Sequence, residues 1–369
     1  LLGRIRKQIF IDDCRTWGAA DTALIENAIE PYWKGYQEDP SNRSWHGINV
    51  VALLKRAEHE GIKLSKPISV DNLVKEILDN LYMKKDGVGW DAWDFASAAE
   101  AYLALGNLEE ASKLLKNYAW DKRISAFNLG STLRQFEEIW GLGHADENSQ
   151  NLLHLLRSRL LEVEGGQVFL SGEEVNYALQ KGVGQVELER VFGTDHFTSY
   201  ERYKTGLERC QCVVRIGRES SKGDGTGFLM RGGDLFPDLG DQPVLLTNAH
   251  VLNIDPASGH HPQDVNVYFH AMENVRPDEA FTIKSILWIS SKTDCDCTIA
   301  LLDRYPTTKC KYPVAPVMPI KPNEIAKPRV LIIGYPEGGT LSFSLNDNEL
   351  LDYDDRLMHY RAPTEGGSS

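Results

Sequence analysis

The hydrophobic pattern changes its period partway along the chain, and this change limits the fold more than any other feature. In residues 1–162, apolar side chains recur every three or four positions, as on one face of a helix. From Cys210 onward they alternate with their neighbours, as in a half-buried strand. A length of 369 residues is also typical of two domains. We therefore predict a helical domain at 1–162, a connector at 163–205 and a β domain at 206–369.

The helical half has one segment, residues 95–118, with an especially informative pattern. Ala98 and Ala99 are small enough for two helices to cross closely, and Gly106-Asn107 provides a sharp turn between them. The segment resembles a tetratricopeptide unit, whose helix pairs recur and stack into a solenoid. A generic antiparallel helix pair is the alternative. Further helices are predicted at 49–59, after an N-cap at Ser69, at 129–140, at 152–161 and, within the connector, at 186–192.

Other segments extend this resemblance over about residues 1–140. They are Leu2-Gly-Arg-Ile-Arg-Lys-Gln-Ile-Phe10, Ala28-Ile-Glu-Pro-Tyr32, Gly47-Ile-Asn49 and Ala98-Ala-Glu-Ala101. Together they are similar to the TRAF-binding helical domain of certain MAP kinase kinase kinases and of many bacterial multidomain proteins. The resemblance implies a protein-interaction or sensor domain with a protein partner or activator. Five aromatic residues are candidate anchors for that partner, with packing in the solenoid core as the alternative: Trp33, Tyr36, Trp45, Trp90 and Trp93.

The β half consists of many short apolar segments separated by Gly, Pro and Asp clusters. Such a pattern predicts an antiparallel sandwich or barrel. The predicted strands are 210–216, 227–231, 244–247, 265–269, 281–289, 298–302, 330–333, 341–345 and 357–361.

Four short motifs follow one another in this half. They are Gly225-Thr-Gly-Phe228, Thr247-Asn-Ala-His250, Asp296-Cys-Thr-Ile-Ala-Leu301 and Gly366-Gly-Ser-Ser369. The order His, Asp, Ser, with gaps of 46 and 73 residues, is that of a chymotrypsin-type serine protease. This half resembles trypsin-like peptidases, and its motifs are most similar to those of the HtrA-related branch. The resemblance implies a chymotrypsin-like double β-barrel.

The resemblance also implies a role for each motif residue. His250 matches the general base, Asp296 the carboxylate that orients it, and Ser369 the nucleophile. The backbone N–H groups of Gly367 and Ser369 match the oxyanion hole. The implied reaction is hydrolysis of a protein substrate through an acyl-enzyme, with no metal or cofactor. A protease-like pseudoenzyme that acts as an interaction scaffold is the alternative.

Two of these assignments have competitors close by in the sequence. Asp294 competes with Asp296, and Ser368 competes with Ser369. The glycine that follows the serine in the family is missing, because Ser369 is the last residue. The second barrel is thus incomplete in this chain, and we expect further residues after Ser369.

The amino-acid composition disfavours several classes of function. The chain carries 53 acidic and 40 basic residues, a net charge of −13, which disfavours direct binding of nucleic acid. No apolar segment approaches the roughly 18 residues that span a membrane. We interpret the six cysteines as reduced thiols of a cytoplasmic protein without a secretory signal. The pairs Cys210/Cys212 and Cys295/Cys297 suggest a four-thiolate zinc site, but buried thiols on strand faces are the favoured interpretation.

Overall fold

The chain divides into two compact units. Unit 1 comprises Leu1–Arg159 and Gly184–Phe197, and unit 2 comprises Leu160–Val183 and Thr198–Ser369. The computed structural model describes residues 2–17, 22–87, 89–142, 147–163, 166–181, 197–272, 274–291, 293–306, 330–345, 349–353 and 358–361.

Unit 1 is helical over its described residues, as predicted. A five-residue π-helical turn, Gln135–Ile139, continues its seventh helix. The helices are α1 (Leu2–Trp17), α2 (Thr22–Glu38), α3 (Ser44–His59), α4 (Val70–Gly87), α5 (Ala92–Ala104), α6 (Leu108–Ala119), α7 (Ala126–Arg134) and α8 (Glu147–Leu160).

Helix α3 lies at the centre of unit 1. It packs against α2, α4 and α5. Ile48, Val50, Val51 and Leu53 are fully buried although they point in different directions around the helix. A helix that is apolar over most of its circumference can be stable only when other helices surround it.

The predicted helix pair at 95–118 is confirmed as α5 and α6. Ala98 and Ala99 have no exposed surface, so the two helices pack closely. Gly106 has a φ of +72°, which a side chain would disfavour. The Asn107 side chain then accepts a hydrogen bond from the backbone N–H of Glu110 at 3.2 Å and caps α6.

Unit 2 contains a closed antiparallel barrel of six strands. The elements of this part of the chain are β1 (Gly166–Phe169), α9 (Gly172–Lys181), α10 (Phe197–Cys210), β2 (Val213–Gly217), β3 (Gly225–Arg231), β4 (Pro243–Thr247), β5 (Asn266–Tyr268), β6 (Phe281–Ile289), β7 (Thr298–Leu302), β8 (Ile332–Gly334), β9 (Ser342–Leu345), β10 (Glu349–Tyr353) and β11 (Met358–Arg361). The order of the strands around the barrel is β2-β3-β4-β7-β6-β5. The other described strands form a three-stranded sheet, β1-β9-β8, and a hairpin, β10-β11.

The barrel interior is an apolar core. Val214, Leu245 and Ala300 come from three different strands and have no exposed surface. The rings of Phe269 and Phe281 meet edge to face, with their centroids 4.9 Å apart. The fold-class prediction, a helical domain followed by a β-barrel domain, is thereby confirmed.

One local prediction is wrong, and the predicted connector contains regular structure. Cys210 ends helix α10 and the strand begins only at Val213, so the cysteines at 210 and 212 do not share a strand face. The segment 163–205 contains β1, which pairs with β9 and so belongs to a sheet, and α9 follows β1. The predicted helix at 186–192 lies outside the described residues.

No helix in the described parts of the chain is both long enough and apolar enough to cross a membrane.

Candidate active site

The pairing of β4 with β7 creates the site. These strands are antiparallel neighbours, and Thr247 lies opposite Thr298. The chain leaves β4 just before His250 and enters β7 just after Asp296, so both residues lie at the same end of the barrel. Residues far apart in sequence therefore meet as a direct consequence of the strand register.

His250 and Asp296 are joined by two hydrogen bonds. Nδ1 of His250 lies 2.6 Å from Oδ2 of Asp296, and the backbone N–H of His250 donates to Oδ1 at 3.0 Å. An ionised carboxylate can only accept, so the proton lies on Nδ1 and Nε2 is free to accept one. The His250 side chain is 37% exposed, which leaves the ring accessible to a reacting group.

The carboxylate of Asp296 is held in its charged form. Burial alone would raise its pKa. Hydrogen bonds from the side chain and backbone of His250 and from Asn248 outweigh burial and lower the pKa. Nδ2 of Asn248 donates to Oδ2 at 3.3 Å. The sequence motifs assign no role to Asn248, although its place two residues before the histidine puts it beside the same carboxylate.

The backbone around Asp296 is constrained as well. Asp296 has a φ of +47°, an uncommon conformation for a residue with a side chain. Its carbonyl accepts from the N–H of Ala249 at 3.0 Å, and its own N–H donates to the carbonyl of Ser291 at 3.1 Å. These bonds hold the turn before β7 in the conformation that directs the carboxylate to His250.

The Gly-Thr-Gly-Phe motif supports the site from β3. A Cβ atom on Gly225 would lie 2.5 Å from a methyl group of Val251, the residue after His250, so glycine permits this close approach. Thr226 connects three segments. Its carbonyl accepts from Oγ1 of Thr247 at 2.7 Å, and its Oγ1 accepts from the N–H of Tyr335 at 2.9 Å.

A buried arginine of β2 forms hydrogen bonds to the segment that follows β8. Nη1 of Arg215 donates to the carbonyls of Gly338 and Gly339 at 3.3 and 3.0 Å. Nη2 of Arg215 lies 3.1 Å from Nε2 of His270. Burial, followed by the charge of Arg215, lowers the pKa of His270 to about 4. His270 is therefore a neutral structural residue in unit 2.

The structure describes some of the remaining predicted site residues and not others. Asp294 is exposed, and Asp296 is the carboxylate that hydrogen-bonds to His250. The nucleophile candidates Ser369 and Ser368 and the oxyanion candidate Gly367 lie outside the described residues. Within the described ranges, no three His, Cys, Asp or Glu side chains are grouped as a metal site would require. Cys210 and Cys212 are buried, whereas Cys295 is exposed.

Two family models match the chain. Residues 1–54 match the tetratricopeptide repeats-sensor model, and residues 225–369 match the trypsin-like peptidase domain model. These two matches, in this order, confirm the predicted resemblance to a tetratricopeptide-type helical domain fused to a trypsin-like peptidase domain. No curated protein and no solved structure matches it significantly.

Proposed function

We propose that the chain is a serine endopeptidase that is controlled by its helical unit. The observation that carries this proposal is the hydrogen-bonded pair of His250 and Asp296 at the end of the barrel. The match of residues 225–369 to trypsin-like peptidases supports it. The sensor match at residues 1–54 supports a regulatory role for the helical unit.

The mechanism follows from the roles that these groups can perform. Nε2 of His250 removes the proton of the Ser369 hydroxyl as Oγ attacks the carbonyl carbon of the scissile peptide bond. Asp296 holds the ring in the correct tautomer and stabilises the imidazolium that forms. The N–H groups of Gly367 and Ser369 stabilise the oxyanion. His250 then gives its proton to the leaving amine, and water hydrolyses the acyl-enzyme by the same route.

Active-site labelling tests this assignment directly. We expect a fluorophosphonate to label the full chain at one serine, because only an activated hydroxyl reacts with it at a useful rate. Peptide mapping identifies the serine and so distinguishes Ser369 from Ser368. The variants His250→Ala and Ser369→Ala should lose labelling, while His261→Ala, a change at a partly exposed histidine of the same unit, should retain it. Absence of labelling in the wild type would favour the scaffold function.

We further propose that this regulated protease acts in a bacterial defence or signalling system. This part rests on the fused arrangement of a sensor domain and a peptidase domain. The proposed substrate is a protein, and the proposed partner of the helical unit is a protein or another activator. The proposed location is the cytoplasm, where the exposed thiol of Cys295 would remain reduced.

A further inference from the structure

The helical unit contains a cavity that the peptidase chemistry does not use. Its volume is about 250 Å³. Residues of α1, α3, α5, α7 and the π-helical turn line it. A cavity of this size at the junction of several helices can hold a small molecule, and it cannot hold a folded partner.

A network of buried polar groups forms one side of the cavity. Nζ of Lys7 donates to Oδ1 of Asn49 at 2.8 Å and to Oε1 of Gln135 at 2.6 Å. Glu100 accepts from Nε2 of Gln135 and from Nε1 of Trp140, both at 2.8 Å. Every member of this network lies within unit 1. The network fixes the Lys7 ammonium group, while its third N–H has no hydrogen-bond partner among the described residues.

The charges of this network are poorly solvated. Burial lowers the pKa of Lys7 to about 8, although the nearby charge of Glu100 opposes this shift. Burial likewise raises the pKa of Glu100. A partly desolvated ammonium group gains more from an anionic ligand than a fully hydrated one does.

Two arginines add positive charge at the opening. Arg4 and Arg134 both line the cavity and are exposed. Neither makes an ion pair within the described parts of the chain, although the whole chain has a net charge of −13. Unpaired guanidinium groups beside Lys7 form a site suited to a carboxylate or a phosphate, because guanidinium binds both groups in a bidentate manner.

Aromatic side chains form the apolar wall. Trp45, Trp93 and Phe127 line the cavity, and the Phe127 side chain is 71% exposed. The guanidinium group of Arg4 lies 5.2 Å from the ring centroid of Trp45. An exposed aromatic residue beside cationic groups can stack on a flat ring whose charged substituent points to the arginines.

We propose that this cavity binds a small organic anion in which a carboxylate or phosphate group is attached to a flat ring. The helical unit would then detect a small molecule, in addition to or in place of a protein. This inference is independent of peptidase activity, because binding can be measured without a working triad.

Binding to the full chain, followed by calorimetry and thermal unfolding, tests the inference with defined probes. We expect saturable binding of phenyl phosphate or benzoate with dissociation constants of about a millimolar, as for ligands of this size. The two probes distinguish a phosphate ligand from a carboxylate ligand. Benzyl alcohol, which has the ring without the charge, and inorganic phosphate, which has the charge without the ring, should bind at least tenfold more weakly.

A double variant and a control variant test whether the probes bind in this cavity. The double variant Arg4→Gln/Arg134→Gln should weaken probe binding at least tenfold while the chain stays folded, because both side chains are exposed. The control Arg123→Gln removes a positive charge from another exposed site of unit 1 and should leave binding unchanged. Equal binding by the double variant and the wild type would overturn the proposal. So would the absence of binding by both ring anions, or equal binding of benzyl alcohol.

Discussion

At the scale of single residues, Asp296 carries the most direct test of the site. Asp296→Asn should keep the fold, yet lower kcat for a protein substrate by about 10⁴-fold, because an amide holds His250 in the wrong tautomer. The matched control is Asp294→Asn, the same chemical change two residues earlier on an exposed side chain. Cleavage of labelled casein and the unfolding temperature are measured together. A full loss in the control and none in Asp296→Asn would assign the carboxylate to Asp294.

Lys7 gives a second residue-scale prediction, on the pH dependence of stability. Its pKa falls from 10.5 in the unfolded chain to about 8 on folding, so the folded state disfavours its charge. Between these values the unfolded chain binds more protons, and stability must rise with pH. Relative to Lys7→Met, the wild type should gain about 3 kcal/mol between pH 8 and 10.5. Urea unfolding of both proteins measures the difference, and a constant difference over this range would show that Lys7 is not desolvated.

At the scale of elements, the contact between β3 and the His250 turn is limited by the size of residue 225. In Gly225→Ala the new methyl group would lie 2.5 Å from Val251, so β3 or the turn must move. We expect a loss of about 1–3 kcal/mol in unfolding free energy and a lower kcat, because Val251 directly follows His250. The control Gly130→Ala, within α7, meets no atom within 4 Å and should stabilise by about 0.5–1 kcal/mol. Equal effects of the two substitutions would mean that packing at Gly225 does not position the site.

Elements with a regular apolar pattern could be predicted from the sequence. The barrel strands from β3 to β7 and the pair α5 and α6 were found near their predicted positions, because each buries one well-defined face. β1 and β10 were not predicted, because each is short; β1 in addition pairs with β9, a partner distant in sequence. The alternation of apolar and polar residues at 210–216 predicts a single strand. The structure instead has the end of α10 at Cys210 and the start of β2 at Val213, and this arrangement is compatible with the same sequence pattern.

The candidate site, too, could be predicted only in part from the sequence. The motifs identify His250 and Asp296 because their neighbours are distinctive. The hydrogen bond from Asn248 to Asp296 and the positive φ of Asp296 depend on how β4 and β7 pair. No local sequence pattern specifies that pairing. The tie from Arg215 to Gly339 likewise spans 124 residues. Long-range hydrogen bonds of this kind become visible only in the folded chain.

At the scale of the whole molecule, the proposed chemistry and the proposed control lie in different units. The predicted catalytic residues belong to unit 2, and the polar cavity belongs to unit 1. For unit 1 to regulate catalysis, its ligand must bind one state of the protein more tightly than another, by several kcal/mol for a near-complete switch. A latent protease with a small active population would then be released when unit 1 is removed.

Removal of residues 1–159, the larger part of unit 1, tests this proposed control in one comparison. We expect the shortened protein to react with a fluorophosphonate at least tenfold faster than the full chain if unit 1 restrains the active site. Circular dichroism and unfolding temperature first establish that the barrel remains folded. Full chains carrying Arg4→Gln/Arg134→Gln serve as a second comparison, since they keep unit 1 and alter only its cavity. Equal labelling rates in all three proteins, with and without phenyl phosphate or benzoate, would show that unit 1 localises the peptidase and does not gate it.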